Sequence, residues 1–221
     1  MTGRFMGLVV IRNVTRTQSI AQDHFLPHPS DILICTPLKV GTTWIKALAF
    51  ATFNRKDQPC KRSSILSHTP HICVPNLEFN LYGGRKLSDL TVAASPRLLS
   101  THIPSSQLFL ASWLSSGCKF VYLCRNPKDT FISSWHFFNK ILRDVHYKVS
   151  LGDAFDAFLK GIHSAGPLWD HVFGFRMLGN QILIRKGKVG DWVNFLIQDM
   201  AQQLDESMEQ KLQGSGLSFK A

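Results

Sequence analysis

Residues 36–46 read TPLKVGTTWIK and join two apolar segments of different character. The four residues before them, ILIC at 32–35, predict a short buried strand. The residues after Gly41 predict a helix to about residue 54, because apolar side chains recur there at helical spacing. These apolar side chains are Trp44, Ala47, Leu48 and Ala51. Residues 36–46 therefore form a strand-to-helix joint, which is where open α/β sheets bind their ligands.

The residue types in this joint suit an anion. Backbone N–H groups around Gly41 point outward from the start of the predicted helix. Thr42 and Thr43 add hydroxyl donors, and Lys39 adds a mobile positive charge. Together these groups predict a phosphate or sulfate site. The lysine precedes the glycine, so the loop is not a Walker A motif; an ordinary capped turn with a stray lysine is the alternative.

Strands and helices alternate further along the chain. Residues 98–103 (LLSTHI) and 118–124 (CKFVYLC) predict two more strands. A helix follows the second of them, with Asn126 as its cap. Two later helices are predicted, one capped by Ser150 and one over residues 198–212. This alternation predicts an α/β fold with a mostly parallel sheet.

A second polar joint follows the strand at 118–124. Arg125 ends that strand, and Ser133 lies two turns into the next helix. An arginine at a strand end beside a helix start is well suited to bind a phosphate group. The alternative is a surface arginine that pairs with Asp129.

Two more features are candidates for chemistry. The basic segment RKGKVGDW at residues 185–192 contains Arg185, Lys186 and Gly187, and it predicts either a lid over an anion or a solvated loop. His102 lies near the carboxyl end of the second predicted strand. A histidine at a strand's carboxyl end is a candidate general base near neutral pH, although isolated histidines are usually structural.

The composition bounds the partners and the compartment. The 221 residues suit a single domain, and the formal charge of +10 favours either an anionic partner or a merely soluble basic surface. Five cysteines form no C-x-x-C pair, which indicates a reducing, cytoplasmic environment rather than disulfides or zinc. No apolar run reaches the ~18 residues of a membrane span. Basic residues are scattered and aromatic ones lie at core spacing, which disfavours nucleic-acid binding.

Four segments occur in an order that resembles the cytosolic sulfotransferase family: KVGTTWIKAL, SPRLLSTHIP, FVYLCRNPKDTFISSWHF and RKGKVGDW. Two more, HTPHICVPNLEF and FDAFLKGIHSAGPLWDHVFGF, resemble its plant branch. The resemblance implies a P-loop-like, three-layer α/β fold of the sulfotransferase type. It also implies sulfuryl transfer, without a metal, from 3′-phosphoadenosine 5′-phosphosulfate (PAPS) to a hydroxyl of a small acceptor such as a phenol, flavonoid or steroid.

The resemblance also implies roles for the candidate residues. The residues that would cradle the 5′-phosphosulfate are Lys39, Val40, Gly41, Thr42, Thr43 and Trp44, and Lys39 would also steady the leaving phosphate. The residues that would bind the 3′-phosphate are Arg125, Ser133, Arg185, Lys186 and Gly187. His102 would take the proton from the acceptor hydroxyl.

The chain departs from the family pattern in two places. The family loop P-K-S-G-T-T-W reads LKVGTTW here, so Leu38 and Val40 replace proline and serine. Loss of the serine hydroxyl predicts that the sulfuryl donor PAPS is bound and used about 10- to 100-fold less well. Near residues 176–184 a family segment that carries an adenine-contacting tyrosine is missing, and the amino-terminal region is short. An impaired relative that at most binds the nucleotide is therefore the alternative function.

Overall fold

The structure is a computed structural model that describes residues 27–55, 68–78, 96–108, 110–142, 148–163, 166–176 and 190–218. Its strands are β1 (Ile32–Cys35), β2 (Leu98–Thr101) and β3 (Lys119–Tyr122). Its helices with described bounds are α1 (Thr42–Phe53), α2 (Pro70–Cys73), α3 (Leu110–Ser115), α4 (Pro127–Leu142), α5 (Leu151–Leu159), α6 (Leu168–Arg176) and α7 (Gln198–Lys211). A 3₁₀ helix spans Asp191–Asn194.

The strands of the described sheet are parallel, in the order β2-β1-β3. Cys35 at the end of β1 aligns with Thr101 of β2 and with Tyr122 of β3. The loops that follow the three strands therefore leave the sheet at the same edge. This register places the loop after β1, the residue His102 and the joint before α4 side by side.

Both faces of the sheet are covered. Leu33 and Cys35 point into the larger apolar core, whereas Ile34 between them belongs to a second cluster on the opposite face. Side chains alternate along a strand, so apolar residues at consecutive positions need packing on both sides. The result is three layers, which confirms the predicted α/β fold with a parallel central sheet.

Helix α1 was predicted correctly, but the side that packs on the sheet is not the one marked by Trp44 and Leu48. Trp44 is 81% exposed and Leu48 is 48% exposed. The side chains that pack on the second cluster are Ile45, Ala49, Phe50 and Phe53. The helix is apolar around much of its circumference, so periodicity identifies the helix without identifying its buried face.

Other predicted elements are confirmed by their caps. The Asn126 side chain accepts from the Lys128 N–H at 2.9 Å at the start of α4, and Ser150 Oγ accepts from the Asp153 N–H at 3.1 Å at the start of α5. Strand β2 ends at Thr101, so His102 lies just beyond it. Helices α2, α3 and α6 were not predicted, because they are short and lack a strong apolar period. Within the described ranges, no helix is both long and apolar enough to cross a membrane.

A buried ion pair joins the amino ends of β1 and β2. Arg97 Nε donates to Asp31 Oδ1 at 2.9 Å, and Arg97 Nη2 contacts Asp31 Oδ2. The His28 N–H donates to the same carboxylate at 2.7 Å. Burial alone would raise the pKa of Asp31, but the bonds from Arg97 and His28 outweigh burial and hold that pKa below its ordinary value. The pair fixes the start of the register that aligns the functional edge.

We expect Arg97→Met to lower the free energy of unfolding by about 3–5 kcal/mol, because it leaves a buried carboxylate without its counter-charge. Urea titration at pH 7 measures the loss. The double variant Asp31→Asn with Arg97→Met is the matched control, since the amide still accepts the His28 N–H and carries no charge. It should lose much less stability, and equal losses in both variants would contradict a role for the ion pair.

Candidate active site

The loop between β1 and α1 presents the backbone N–H groups of a helix start to one side. Gly41 is the residue before the helix and has a left-handed φ of 110°. Its carbonyl accepts from the N–H groups of Trp44 at 3.0 Å and Ile45 at 3.1 Å. The N–H groups of Thr42 and Thr43 belong to the first turn, where a helix supplies no acceptor of its own. The loop therefore offers an anion the positive end of a helix.

Lys39 also has a left-handed backbone, with a φ of 66°. This conformation is uncommon for a residue other than glycine and is typical of strained functional loops. Val40, the β-branched departure from the family pattern, does not have a positive φ and is 5% exposed. The strain of the turn is therefore carried by Lys39 and Gly41, and Val40 fills a buried position instead.

Thr36 connects this loop to His102. Its hydroxyl oxygen lies 2.9 Å from Thr42 Oγ1 and 3.2 Å from His102 Nδ1. Its backbone carbonyl lies 2.8 Å from the same ring nitrogen. A carbonyl can only accept, so Nδ1 carries the proton and Nε2 keeps its lone pair. The contacts of Thr36 thus select the tautomer in which His102 can accept a proton at Nε2.

The surroundings of His102 keep it neutral. Burial lowers its pKa to about 4, and the positive charge of nearby Lys46 adds to this effect, while the Thr36 carbonyl acts in the opposite direction. Glu78 accepts the backbone N–H of His102. Burial raises the pKa of Glu78. His102 is therefore a proton acceptor near neutral pH.

The helix start after β3 faces Lys39 across a cleft of about 390 Å³. The residues that line the cleft are Lys39, Arg125, Asp129, Ile132, Ser133, His136, Phe137 and Lys140. Lys39 Nζ lies 4.4 Å from the centre of the Phe137 ring. Cationic side chains outnumber the single carboxylate, so the cleft suits a ligand with several negative charges.

The carboxylate of that cleft also holds a distant segment. Asp129 Oδ1 lies 3.7 Å from Arg125 Nη2, and Asp129 accepts the N–H groups of Gly190 and Trp192 at 3.4 Å each. Lys128 contributes from the same turn, because its Nζ lies 2.7 Å from Asp205 Oδ2 and 4.3 Å from the centre of the Trp192 ring. The chain that returns at residue 190 is therefore attached beside the cleft.

The structure brings together several of the sequence-predicted residues. Lys39, Arg125 and Ser133 line the same cleft, and His102 is linked to Thr42 through Thr36. Arg125 does approach Asp129, as the alternative interpretation held, yet it lines the cleft as well. The predicted residues Arg185, Lys186 and Gly187 lie outside the described residues.

Sequence reasoning missed three residues of this region. Thr36 and Glu78 contact His102, and His71 contacts Thr43, with His71 Nε2 3.1 Å from Thr43 Oγ1. One signal existed for Glu78, which is a single acid in the mostly apolar segment VPNLEF. Thr36 and His71 gave no comparable signal. Within the described ranges no group of three His, Cys, Asp or Glu side chains is arranged to hold a metal, and a metal-free site stays a prediction.

Comparisons with known proteins identify the family of this chain. A family model described as the sulfotransferase domain matches residues 29–182. Cytosolic sulfotransferase 5 of Arabidopsis thaliana is 32% identical, over 98% of this chain and 90% of that protein. A crystal structure of an Arabidopsis thaliana sulphotransferase superposes with a TM-score of 0.76 at 32% identity, over 95% of this chain and 85% of the other. Mouse sulfotransferase SULT7A1 in complex with PAP shares the fold, with a TM-score of 0.70 at 17% identity, over 93% of each chain.

The chain therefore belongs to the sulfotransferase family, in its plant-type cytosolic branch, and thus to a class of transferases that use PAPS. The cytosolic names of its relatives agree with the expected cytoplasmic location. The alignment to cytosolic sulfotransferase 5 extends over 291 positions, whereas this chain has 221 residues. At least 70 aligned positions of the relative therefore lack a counterpart here. Where they fall in this chain, including the segment expected near residues 176–184, stays a prediction.

We expect the protein to lose stability as the pH falls from about 6.5 to 4. Burial lowers the pKa to about 4 for His102 and His163 and to about 3 for His171. The unfolded chain then binds more protons than the folded one in this pH window, and each histidine contributes up to about 1.4 kcal/mol per pH unit. Glu78 has a raised pKa and therefore opposes this loss of stability, but it is one group against three histidines. Urea titrations between pH 7 and pH 5 measure the slope.

His163→Gln provides a control for the histidine account. The amide keeps a donor near Ser134 Oγ, which lies 3.5 Å from His163 Nε2, but it does not titrate. Its stability should therefore fall less steeply with acid than that of the parent protein. Parallel slopes for the two proteins would contradict the assignment.

Proposed function

We propose that this chain transfers a sulfuryl group from PAPS to a hydroxyl of a small acceptor of the phenolic, flavonoid or steroid type. One observation carries the proposal: Lys39, Arg125 and Ser133, from two joints that are far apart in sequence, line one cleft at the carboxyl ends of neighbouring parallel strands. This is the edge at which α/β sheets bind ligands, and its charge matches a nucleotide with several anionic groups.

The 3′-phosphate of the donor is assigned to Arg125 and Ser133. A guanidinium and a hydroxyl on one helix start give charge-assisted and neutral hydrogen bonds to phosphate oxygens. We assign Arg185, Lys186 and Gly187 to the same phosphate. In support, Gly190 follows Gly187 by only three residues, and its N–H contacts Asp129 in the wall of the cleft.

The 5′-phosphosulfate is assigned to the loop after β1. The N–H groups of the first helical turn and the hydroxyls of Thr42 and Thr43 supply donors, and Gly41 allows the close approach of an anion. Burial lowers the pKa of Lys39, and the charge of Lys140 adds to the effect. An anion beside these two lysines relieves their repulsion. Trp44, which is 81% exposed, offers an apolar face beside the loop.

PAPS supplies the sulfuryl group when it is bound: the acceptor oxygen bonds to sulfur as the bond from sulfur to the 5′-phosphate oxygen breaks. Negative charge builds on that leaving oxygen, where Lys39 and the loop N–H groups stabilise it. The acceptor hydroxyl proton goes to His102 Nε2, which is the unprotonated nitrogen of the tautomer that Thr36 selects. General-base assistance of this kind contributes about 10²–10⁴-fold.

The low pKa of His102 limits its strength as a base. Its main cause is burial, to which the charge of Lys46 adds. A bound donor with several negative charges counteracts the charge of Lys46 and so raises the pKa of His102. Donor binding therefore prepares the base that the second substrate needs.

A nucleotide-binding protein without turnover is the second candidate. The observation that favours it is the length of the alignment, because at least 70 positions of a relative have no counterpart in this chain. Loss of acceptor-binding segments would leave Lys39, Arg125 and Ser133 in place and remove the second substrate. Binding of PAP (adenosine 3′,5′-bisphosphate, the donor without its sulfuryl group) without transfer to any acceptor supports this candidate over the enzyme.

We expect His102→Ala to lower sulfuryl transfer by about 100-fold or more, because it removes the general base. Labelled PAPS with a panel of phenols, flavonoids and steroids measures the transfer. PAP affinity should stay within a few-fold of the parent value, since the assigned donor ligands are unchanged. His28→Ala is the control, because His28 is exposed and lies at the amino end of β1. Unchanged transfer by the His102 variant would show that the base has been assigned wrongly.

A further inference from the structure

Thr43 has a partner that the proposed donor site does not explain. Its hydroxyl oxygen lies 3.1 Å from His71 Nε2, and His71 Nδ1 lies 3.3 Å from Lys46 Nζ. Lys46 is on α1, one turn beyond Thr43, and is 0% exposed. His71 is on the separate helix α2. A line of three side chains therefore runs from the interior to the loop that faces the anion.

The protonated amine of Lys46 determines which atoms donate and which accept along this row of side chains. A protonated amine has only donors, so it makes His71 Nδ1 an acceptor. Burial lowers the pKa of Lys46 to about 8, and Glu78 partly offsets the effect, so Lys46 stays mainly protonated at pH 7. Burial and the charges of Lys46 and Lys39 lower the pKa of His71. A neutral His71 that accepts at Nδ1 carries its single proton on Nε2.

The direction continues to the loop. His71 Nε2–H donates to Thr43 Oγ1, so the hydroxyl accepts on its inner side. Its own proton is then directed elsewhere, and Thr43 lies in the first turn of α1, where the neighbouring N–H groups already face outward. Without His71, the same hydroxyl can rotate and donate its hydrogen bond to another acceptor.

We propose that Lys46 and His71 are positioning residues that orient the Thr43 hydroxyl as a donor to the 5′-phosphate end of the nucleotide. This inference rests on the proposed donor site. It adds to that site a fixed polarity, which the loop sequence alone does not provide. Pre-oriented donors stabilise an anion without the cost of reorganisation when it binds.

Lys46 also interacts electrostatically with a second part of the site. It lies near Glu78, which accepts the backbone N–H of His102. The buried amine therefore interacts with the supports of both the donor loop and the base. This position accounts for a fully buried lysine on a helix whose apolar residues Trp44 and Leu48 are exposed.

The test is a cycle of substitutions read by calorimetric titration of PAP, which needs no turnover. His71→Asn places its amide oxygen near the ring Nδ1 position, where it still accepts from Lys46, but nothing reaches Thr43. We expect PAP to bind about fivefold to tenfold more weakly, from the loss of one oriented hydrogen bond. His71→Gln places an amide N–H near the ring Nε2 position and should restore most of that affinity.

Thr43→Val separates orientation from mere structure. The Thr43→Val variant should itself bind PAP more weakly, and His71→Asn should then weaken binding by less than twofold further, because the hydroxyl it orients is gone. His28→Asn, which alters an exposed histidine at the opposite edge of the sheet, is the control. A melting curve for each variant verifies that it is folded.

Each result has a defined meaning. If the parent chain binds PAP but His71→Asn binds it equally well, or if the effects of His71→Asn and Thr43→Val simply add, the inference is overturned and the proposed function stands. If His71→Asn only lowers the melting temperature, His71 is a structural residue and the inference also fails. If the folded parent chain does not bind PAP, both the proposed function and the inference are rejected.

Discussion

The site depends on the hydrogen bonds of Thr36. Its N–H donates to the Thr101 carbonyl at 3.1 Å and extends the pairing of β1 with β2 by one residue. Its carbonyl fixes the tautomer of His102, and its hydroxyl approaches Thr42 at the start of α1. One fully buried threonine thus ties the anion loop and the base to the same point of the sheet. Thr36 therefore sets the distance between the loop that binds the donor and the base His102.

The rest of the fold maintains that arrangement from a distance. The ion pair of Asp31 and Arg97 fixes the amino ends of the strands, and the parallel register carries this alignment to their carboxyl ends. On the other side of the cleft, Asp129 attaches the chain that returns at Gly190. Parallel pairing joins segments that are distant in sequence, so a chain shorter than its relatives retains the cleft if these segments stay paired.

Local sequence patterns predicted the elements of the site better than its contacts. The apolar run at β1, the glycine before α1 and the cap Asn126 each determine a structure within a few residues, and all three were recognised. The buried side of α1 was not, because the helix is apolar on more than one side and the sheet selects between them. Contacts such as Glu78 with His102 depend on the register of β2 and on the position of residues 68–78. No local pattern encodes these.

The central claim is that the cleft beside Lys39 binds a nucleotide with a 3′-phosphate. Melting curves with PAP and with adenosine 5′-monophosphate at equal concentrations test it most directly, because a ligand that binds only the folded state raises the melting temperature. The account predicts a clearly larger rise with PAP. It also predicts that Arg125→Met reduces the difference, since the two ligands differ only at the 3′-phosphate, to which Arg125 is assigned. Equal shifts with both ligands, or no shift with either, would contradict it.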